Sequence, residues 1–365
     1  MDVRQCTLAT SESEQMSQLL SADVAGALQD VLLLDAGDRH SIEGYLLARS
    51  LADSGEFPAR IERAGSGNMN LTLRVTLPRR SLILKQGRPW VEKYDHIAAP
   101  WERTLIEGQF YEAVRNVPAV SSRMPELVAL DQHNHVLVLE DLGTAGDLTS
   151  MYVERQISDA DLSELLDWLS ALSHVAVPED AQAGLANRAM RRLNHEHIFS
   201  YPLAEQNGLD LDRVTDGLAR AAAELKGDPA YGRRASELGA EYLADHASLV
   251  HGDYFPGSWV RGTSGIRIID PEFCFLGARE FDYGVMLAHL ALARVGVETA
   301  KRVVGAADGE QLDEGTMLGF AGTEIMRRLI GVAQLPLPYG IDAKRHLLDL
   351  SRSLVLTPER RLTCW

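Results

Sequence analysis

Alternating apolar and polar residues fill much of the first 140 positions of this chain, and that pattern constrains its fold more than any other feature. The segment "NLTLRVTL" (70–77) alternates cleanly, which predicts a half-buried strand. After the turn "PRR", "SLILKQ" (81–86) predicts an antiparallel neighbour, and the runs on either side of "QHNH" predict a second hairpin. A helix is predicted over residues 98–114, behind a proline, so these segments indicate a small antiparallel sheet with one crossing helix.

The remainder of the chain has helical periodicity. "SDADLSELLDWLSALSHVA" opens with a capping serine, Ser158, and carries a stripe of leucines. Further helical patterns cover about 210–246, 281–304, 313–334 and 342–355. We therefore predict an α+β fold with two lobes that face one another across a cleft, residues 1–142 forming the sheet lobe and residues 143–365 the helical lobe. The pattern of residues 1–40 predicts a helix that carries no candidate catalytic residues. This helix either packs on the first lobe or reaches a partner.

Charge and composition narrow the partners and the compartment. The chain has 52 acidic and 36 basic residues, and its net charge of −16 disfavours binding to nucleic acid or to an anionic membrane surface. Its apolar runs are too short to span a bilayer, and the first residues lack the pattern of a secretion signal. Three widely spaced cysteines predict neither a disulfide framework nor a zinc site, so we expect a cytoplasmic protein.

Two acidic loops in the second lobe indicate a catalytic site. "LVHGDYFPGSWV" (249–260) places Asp253 after a short apolar run, and "IRIIDPEFCFLGAREFDYG" repeats the arrangement with Asp270 and Glu272. Transfer of a phosphoryl group to an alcohol needs an acceptor for the hydroxyl proton and a metal ion that bridges phosphate oxygens. The sequence therefore predicts Asp253 as the proton acceptor and Asp270 as a magnesium ligand, with Glu272 adding a further carboxylate.

The first lobe has features that suit a nucleotide. Gly65, Ser66 and Gly67 lie between two strand patterns, where small residues let backbone N–H groups approach a phosphate. Lys85 ends the next strand, which reads as an edge strand, and Glu107 follows on the helix. Each feature alone is common in turns, edge strands and helix surfaces. In this order, however, they are the parts that hold ATP phosphates in kinases.

These segments resemble the kinase-like phosphotransferases, which include choline kinases, aminoglycoside phosphotransferases and methylthioribose kinases. "HGD" followed by "IDPE" is the signature of that family. The blocks "SGNMNLTLRV", "SLILKQ", "RTLIE", "LEDL", "HGDYFPGSWV" and "EIMRRLIGVAQ" look like those of methylthioribose kinases, in the same order, over about residues 60–335. The resemblance implies a protein-kinase-like bilobal fold, ATP and Mg²⁺ as cofactors, a small-molecule hydroxyl as the acceptor, and a homodimer.

The resemblance also implies roles for individual residues. Asp253 would be the catalytic base, Asp270 with Glu272 the metal ligands, and Arg327 with Arg328 a pair near the transferred phosphate and the sugar. The residues that would contact the nucleotide are Gly65, Ser66, Gly67, Asn68, Lys85, Glu107, Glu140 and Leu142, with the adenine near the last two. Ser258 stands where protein kinases carry a metal-binding Asn, and we hypothesise that Glu272 compensates for that loss. "RTLIE" favours Glu107 over Glu112 as the partner of Lys85, and Asp282 would hold the catalytic loop.

The segments that select the acceptor depart from the methylthioribose kinases, above all "YFPGSW", "GRPWVEKYDHIAAPWERT" and the stretch after "GVAQ". Methylthioribose or a related pentose is the favoured acceptor, and an antibiotic, nucleoside, amino alcohol or other metabolite is the alternative. "RRLNHEHIFSYPL" (191–203), with His195 and His197, either lines the acceptor pocket or is a capped helix with a turn at Pro202. A nucleotide-binding pseudokinase that acts as a regulator is less favoured, because the lysine, the base and the metal ligands are all present.

Overall fold

The computed structural model describes residues 26, 28–65, 67, 69–143, 146–262, 265–358 and 365. The chain divides into two compact units: a sheet unit, residues 1–108 with 125–143, and a helical unit, residues 109–124 with 144–365. An antiparallel sheet dominates the first unit and helices dominate the second, so the fold class is α+β, as predicted.

The sheet unit is built on five antiparallel strands in the order β1-β2-β3-β7-β6. Its strands are β1 (Arg60–Arg63), β2 (Leu71–Thr76), β3 (Ser81–Gln86), β6 (Leu127–Asp131) and β7 (Val136–Glu140), and a separate hairpin contains β4 (Trp90–Val91) and β5 (Tyr94–Ala98). The alternate side chains of β2 are buried, because one face of the strand packs on the apolar core. The strands predicted around 70–77 and 81–86 and the hairpin around "QHNH" are confirmed.

The helical predictions for this half of the chain need correction. Helix α1 (Arg39–Ala48) begins only after Asp38, whose side chain accepts the N–H of Ser41 and so caps the helix. The helix predicted over residues 1–40 is therefore wrong for 28–38, which form turns and irregular backbone, while residues 1–25 and 27 lie outside the described residues. Helix α2 (Arg103–Val114) is shorter than predicted, because residues 94–98 form β5.

The segment before α1 packs on the sheet unit. Leu34 is buried, and its N–H donates a hydrogen bond of 2.9 Å to Oε1 of Gln86 on β3. Residues 28–38 therefore pack on the sheet unit, as the first of the two predicted alternatives has it.

The helical unit is formed by helices that pack around α11 and α13. Its helices are α3 (Pro118–Ser121), α4 (Met151–Glu154), α5 (Asp159–Ser173), α6 (Glu179–Leu185), α7 (Arg188–His195), α8 (Leu211–Val214), α9 (Leu218–Lys226), α10 (Pro229–Leu243), α11 (Glu280–Leu292), α12 (Val297–Gly309), α13 (Glu314–Ile330) and α14 (Ile341–Leu356). The predicted cap of α5 is confirmed, since Ser158 Oγ accepts the N–H of Asp161 at 3.1 Å. None of the helices in the described part of the chain is long and apolar enough to cross a bilayer.

Two short ribbons carry the acidic loops of the helical unit. Strand β8 (Leu249–Val250) pairs with β11 (Phe275–Leu276), and β9 (Trp259–Gly262) pairs with β10 (Gly265–Ile268). Asp253 follows β8 and Asp270 follows β10, so both carboxylates project from loops anchored by strand pairing.

Candidate active site

The glycine hairpin of the sheet unit connects β1 and β2. Gly65 has a φ of +70°, a left-handed conformation that glycine adopts readily. A Cβ added at Gly67 would meet no other described atom within 4 Å, so the space beside this backbone is open. Ser66 and Asn68, two predicted nucleotide contacts, lie outside the described residues. A phosphate could therefore approach the backbone at Gly67.

Lys85 lies on a central strand and not on an edge strand, because β3 pairs with β2 on one side and with β7 on the other. Its Nζ is 2.5 Å from Oε2 of Glu107, and the two side chains are only 8% and 1% exposed. Glu112, the other candidate, pairs with Arg115 on the surface. Lys85 is therefore a buried cation whose position is fixed by a strand and a helix.

Replacing Lys85 with Met should lower the free energy of unfolding by about 3 kcal/mol, because the buried Glu107 carboxylate loses a cationic partner. Lys85→Met/Glu107→Gln should recover part of the loss. Glu112→Gln, which breaks the exposed pair with Arg115, should change the free energy of unfolding by less than about 1 kcal/mol. Urea denaturation measures all three, and equal losses for Lys85→Met and Glu112→Gln would contradict this expectation.

The chain segment after β7, the predicted adenine contact, is held by side chains of the sheet unit. Oε2 of Glu140 accepts the N–H of Glu126 at 3.1 Å. Asp141 accepts two hydrogen bonds from Arg74, at 2.7 and 2.9 Å, and one from the N–H of Gly143 at 2.9 Å. Leu142, half-buried, lies between these fixed points. The backbone of 140–143 is thus set by a bidentate ion pair.

The HGD loop of the helical unit has a shape that requires glycine. Gly252 has a φ of +84°, and a Cβ here would collide with the backbone carbonyl of Phe273. Asp282, on α11, accepts the N–H groups of His251 (2.6 Å) and Gly252 (3.0 Å), one on each carboxylate oxygen. Burial raises the pKa of Asp282 to about 7, although these two N–H donors favour the carboxylate. The side chain of Asp282 thus contacts backbone N–H groups of the loop, as expected of a residue that holds the loop in place.

His251 connects the two acidic loops. Its Nε2 lies 3.0 Å from the carbonyl oxygen of Ile269, which can only accept, so Nε2 carries the proton. Nδ1 then accepts the N–H of Asp253, at 3.3 Å. The backbone of Asp253 is thereby tied to the residue that precedes Asp270.

Asp253 lies beside two guanidinium groups. Its Oδ1 accepts hydrogen bonds from Nη2 of Arg327 (3.1 Å) and from Nη2 of Arg328 (2.9 Å), both on α13. The Arg328 guanidinium also lies over the ring of Phe255, 4.8 Å from its centroid. The Asp253 side chain is 21% exposed, so a small molecule can reach it. A carboxylate that can take a proton, beside donors for anionic oxygens, is what phosphoryl transfer to a hydroxyl requires.

Glu324 pairs with both arginines at their Nε atoms. Its Oε1 accepts a hydrogen bond from Nε of Arg328 (2.7 Å), and its Oε2 lies 2.6 Å from Nε of Arg327. The side chain is 1% exposed. Burial acts to raise the pKa of Glu324, but Arg327 and Arg328 hold it well below its usual range. Glu324 is therefore an ionised carboxylate within the helical unit.

His289 and Tyr152 extend this cluster into the core. Nε2 of His289 is 3.1 Å from Oε1 of Glu324, and Nδ1 is 2.7 Å from the hydroxyl of Tyr152. Burial lowers the pKa of His289 to about 4, against the opposing effect of Glu324. Burial also raises the pKa of Tyr152 well above its usual value. Both groups are therefore neutral at pH 7.

His289 should make stability depend on pH. Its native pKa of about 4 lies below the unfolded value of about 6.5. At pH values between these two pKa values the unfolded chain binds a proton that the native chain does not. Stability is then lost as the pH falls. Between pH 7 and pH 5 the wild type should lose about 2 kcal/mol more than His289→Gln. Urea denaturation at the two pH values measures this, and equal losses in the two proteins would contradict it.

The predicted metal ligands stand two residues apart on one loop. Asp270 is exposed and has a φ of +68°, whereas Glu272 is 6% exposed. Carboxylate oxygens are the hard ligands that Mg²⁺ prefers, so this donor set fits magnesium. The hydroxyl of Ser258 donates to the carbonyl oxygen of Asp253 at 3.1 Å, so it could offer a metal only a lone pair.

The "RRLNHEHIFSYPL" segment forms the end of α7 and a π-helix (Glu196–Ser200). Oδ1 of Asn194 accepts a hydrogen bond from Nη1 of Arg327 at 3.2 Å. Burial and the nearby Arg327 lower the pKa of His197, and burial lowers that of His195. The segment is therefore a helix with a turn at Pro202, as one of the two alternatives predicts, and its Asn194 contacts Arg327.

Sequence reasoning missed Glu324, His289, Tyr152 and Asn194. One signal for Glu324 was available: in "FAGTEIMRRLI" the glutamate has apolar neighbours and lies three and four residues before the arginines, on the same helix face. No comparable signal marks His289 or Tyr152, because their contacts join residues 137 positions apart.

Comparison with known proteins adds sequence likeness over most of the chain. The profile of the family described as "Phosphotransferase enzyme family" matches residues 60–316. A methylthioribose kinase of Exiguobacterium sibiricum is 26% identical, over 87% of this chain and 92% of that protein. A methylthioribose kinase of Geobacillus sp. (strain WCH70) is 24% identical, over 83% of this chain and 87% of that protein.

Two solved structures share the fold. An ethanolamine kinase of Plasmodium vivax has a TM-score of 0.51 at 12% identity and covers 96% of this chain and 99% of its own. The ADP-bound aminoglycoside phosphotransferase APH(2'')-Ib has a TM-score of 0.50 at 13% identity and covers 88% of this chain and 100% of its own. These structures are kinase-like phosphotransferases, so the predicted fold is confirmed.

Proposed function

This chain belongs to the phosphotransferase enzyme family, and on that premise we propose that it transfers the γ-phosphoryl group of ATP to a hydroxyl of a small, sugar-like molecule. The proposed acceptor is methylthioribose or a related pentose. The observation that carries the proposal is the contact of Asp253 with Arg327 and Arg328.

In the proposed reaction the acceptor hydroxyl donates a hydrogen bond to the Asp253 carboxylate. As the hydroxyl oxygen bonds to the γ-phosphorus and the bond to the leaving ADP oxygen breaks, the hydroxyl proton passes to Asp253. Arg327 and Arg328 donate to the equatorial phosphoryl oxygens, where negative charge is spread in the transition state. Asp282 and His251 fix the backbone of the loop, so Asp253 keeps its position.

The sheet unit supplies the nucleotide contacts in this proposal. The hairpin at Gly65 and Gly67 would approach the phosphates, Lys85 would bind their oxygens while Glu107 holds it, and the segment from Glu140 to Leu142 would contact the adenine. Asp270 and Glu272, with a lone pair of Ser258, would hold magnesium. Magnesium, when bound, would neutralise charge on the phosphate oxygens.

Charge around Asp253 favours a neutral acceptor over a cationic one. Two guanidinium groups contact its carboxylate, and Glu324, the acid behind them, is already paired with both. These two carboxylates and two guanidinium groups balance in charge, so a cationic aminoglycoside or amino alcohol would find no excess of acid to bind it here. A neutral pentose needs none, and the related methylthioribose kinases are named for such a substrate.

The test is an assay of ADP release with purified protein, ATP and magnesium, in which the phosphorylated product is identified by mass spectrometry. The acceptors are methylthioribose, 5-deoxyribose, ribose, nucleosides, choline and aminoglycosides. We expect turnover of methylthioribose or another neutral pentose and little with the cationic acceptors. Preferential turnover of choline or an aminoglycoside would overturn the acceptor proposal, and ATP binding without turnover of any acceptor would favour a regulatory pseudokinase.

A further inference from the structure

The buried charges behind Asp253 suggest a purpose beyond stability. Glu324, Arg327 and Arg328 are 1%, 7% and 8% exposed, and His289 is fully buried. Replacing a buried ion pair with well-packed apolar side chains is often neutral or stabilising, so the fold alone has little need of this cluster. Its open end is the pair of Nη2 atoms that contact Asp253.

The hydrogen bonds of the cluster run in one direction. Glu324 is ionised and can only accept, so the proton of neutral His289 lies on Nε2 and points at Oε1 of Glu324. Nδ1 of His289 is then an acceptor, and the hydroxyl of Tyr152, which keeps its proton, donates to it. The backbone carbonyl of Tyr152 in turn accepts from the hydroxyl of Tyr339 at 2.8 Å.

Glu324 contacts both guanidinium groups at their Nε atoms, through a hydrogen bond from Arg328 and an ion pair of 2.6 Å with Arg327. Glu324 lies three residues before Arg327 and four before Arg328, so all three share one face of α13. A guanidinium is planar and rigid, so holding Nε sets where the Nη2 atoms point. Nη2 of each arginine points at the same oxygen, Oδ1 of Asp253.

We propose that Glu324, oriented by the Tyr152–His289 pair, is a positioning residue that aims Arg327 and Arg328 at the phosphoryl group being transferred to the acceptor. The inference rests on the proposed function, because it assigns Glu324 a part in that same reaction. Glu324 touches neither substrate, and it acts through the arginines.

The main test is Glu324→Gln. The amide keeps the size of the side chain but offers one oxygen in place of two, so one arginine Nε faces an NH₂ group instead of an acceptor. We expect kcat to fall by about 100-fold, the cost of misplacing a reacting group by about 1 Å. KM for ATP should change by less than about threefold, because the lost interaction belongs to the transition state. Glu324→Asp, which keeps the charge, should regain about tenfold of the loss.

The matched control is Thr323→Ala, on the same helix. Thr323 is fully buried, and its hydroxyl donates to the carbonyl oxygen of Phe320 within α13. It should lower the melting temperature but leave kcat within about threefold of wild type. A kcat for Glu324→Gln within threefold of wild type, or an equal loss in Thr323→Ala, would overturn the proposal.

A second variant and a spectroscopic readout cover the case in which Glu324→Gln does not fold. Tyr152→Phe keeps the ring and removes the donor to His289, and we expect kcat to fall by about fivefold. ¹⁵N NMR of the wild type should show His289 neutral at pH 7 with its proton on Nε2. A proton on Nδ1, or an unchanged kcat in Tyr152→Phe, would overturn the proposal. A wild type that turns over no acceptor would count against the proposed function, and the tautomer would still decide the orientation of the network.

Discussion

Replacing Asp253 with Asn is expected to lower kcat by about three orders of magnitude, within the range that a general base contributes. Asn has the same shape as Asp, and its Oδ1 can still accept from Nη2 of Arg327 and Arg328. The loop should also keep its conformation, because Asp282 and His251 hold it through backbone N–H groups. The substitution therefore removes the proposed base and little else.

Single-turnover kinetics, with ATP affinity measured by calorimetry, test this expectation. Asp253→Asn should bind ATP at least as well as wild type, since a negative charge has been removed beside two guanidinium groups. Asp167→Asn, on the exposed face of α5, is the matched control and should keep full activity. A kcat for Asp253→Asn within tenfold of wild type would exclude Asp253 as the base.

The sheet could be predicted because its strands have a local signature. Leu71, Leu73 and Val75 alternate with polar residues, and a strand with one buried face requires that pattern. The prediction that Lys85 lies on an edge strand was wrong, because the order of strands in a sheet depends on segments distant in sequence. Strand β3 gains its second neighbour from β7, more than 50 positions later, and nothing within "SLILKQ" shows that such a partner exists.

The residues of the candidate site likewise include some that the sequence could predict and some that it could not. Asp253, Asp270 and the arginine pair lie in short motifs with a characteristic order, so the sequence could point to them. Glu324 was missed because a Glu–Arg pair three or four residues apart is usually an exposed helix pair of small energetic weight. Only the packing of α11 against α13 buries it and places His289 beside it.

The backbone of Asp270 could not be predicted either. A φ of +68° is uncommon for any residue with a side chain, although Asp and Asn adopt it several times more often than most. In "IIDPEF" the following proline disfavours helical backbone at Asp270 but does not point to the left-handed region. This conformation makes it possible to separate the charge of Asp270 from its effect on the fold.

Asp270→Asn should lower kcat by about 1,000-fold at low magnesium without destabilising the protein, because a proposed metal ligand is lost and the bound metal would supply several kcal/mol of charge stabilisation. Asn adopts the left-handed region as readily as Asp, so the backbone should be unchanged. Asp270→Ala removes the same charge but places a residue without that tolerance at φ +68°, and should also lose about 1 kcal/mol of stability.

The measurement is kcat as a function of magnesium concentration, with the free energy of unfolding from urea titration for each protein. If Asp270 is a ligand, both variants should need more magnesium for half-maximal activity, and only Asp270→Ala should unfold earlier. If Asp270 serves only the loop conformation, Asp270→Asn should keep both the wild-type magnesium dependence and the wild-type kcat. The two variants share the lost charge and differ in backbone preference, so the pattern of their losses assigns Asp270 to the metal or to the loop.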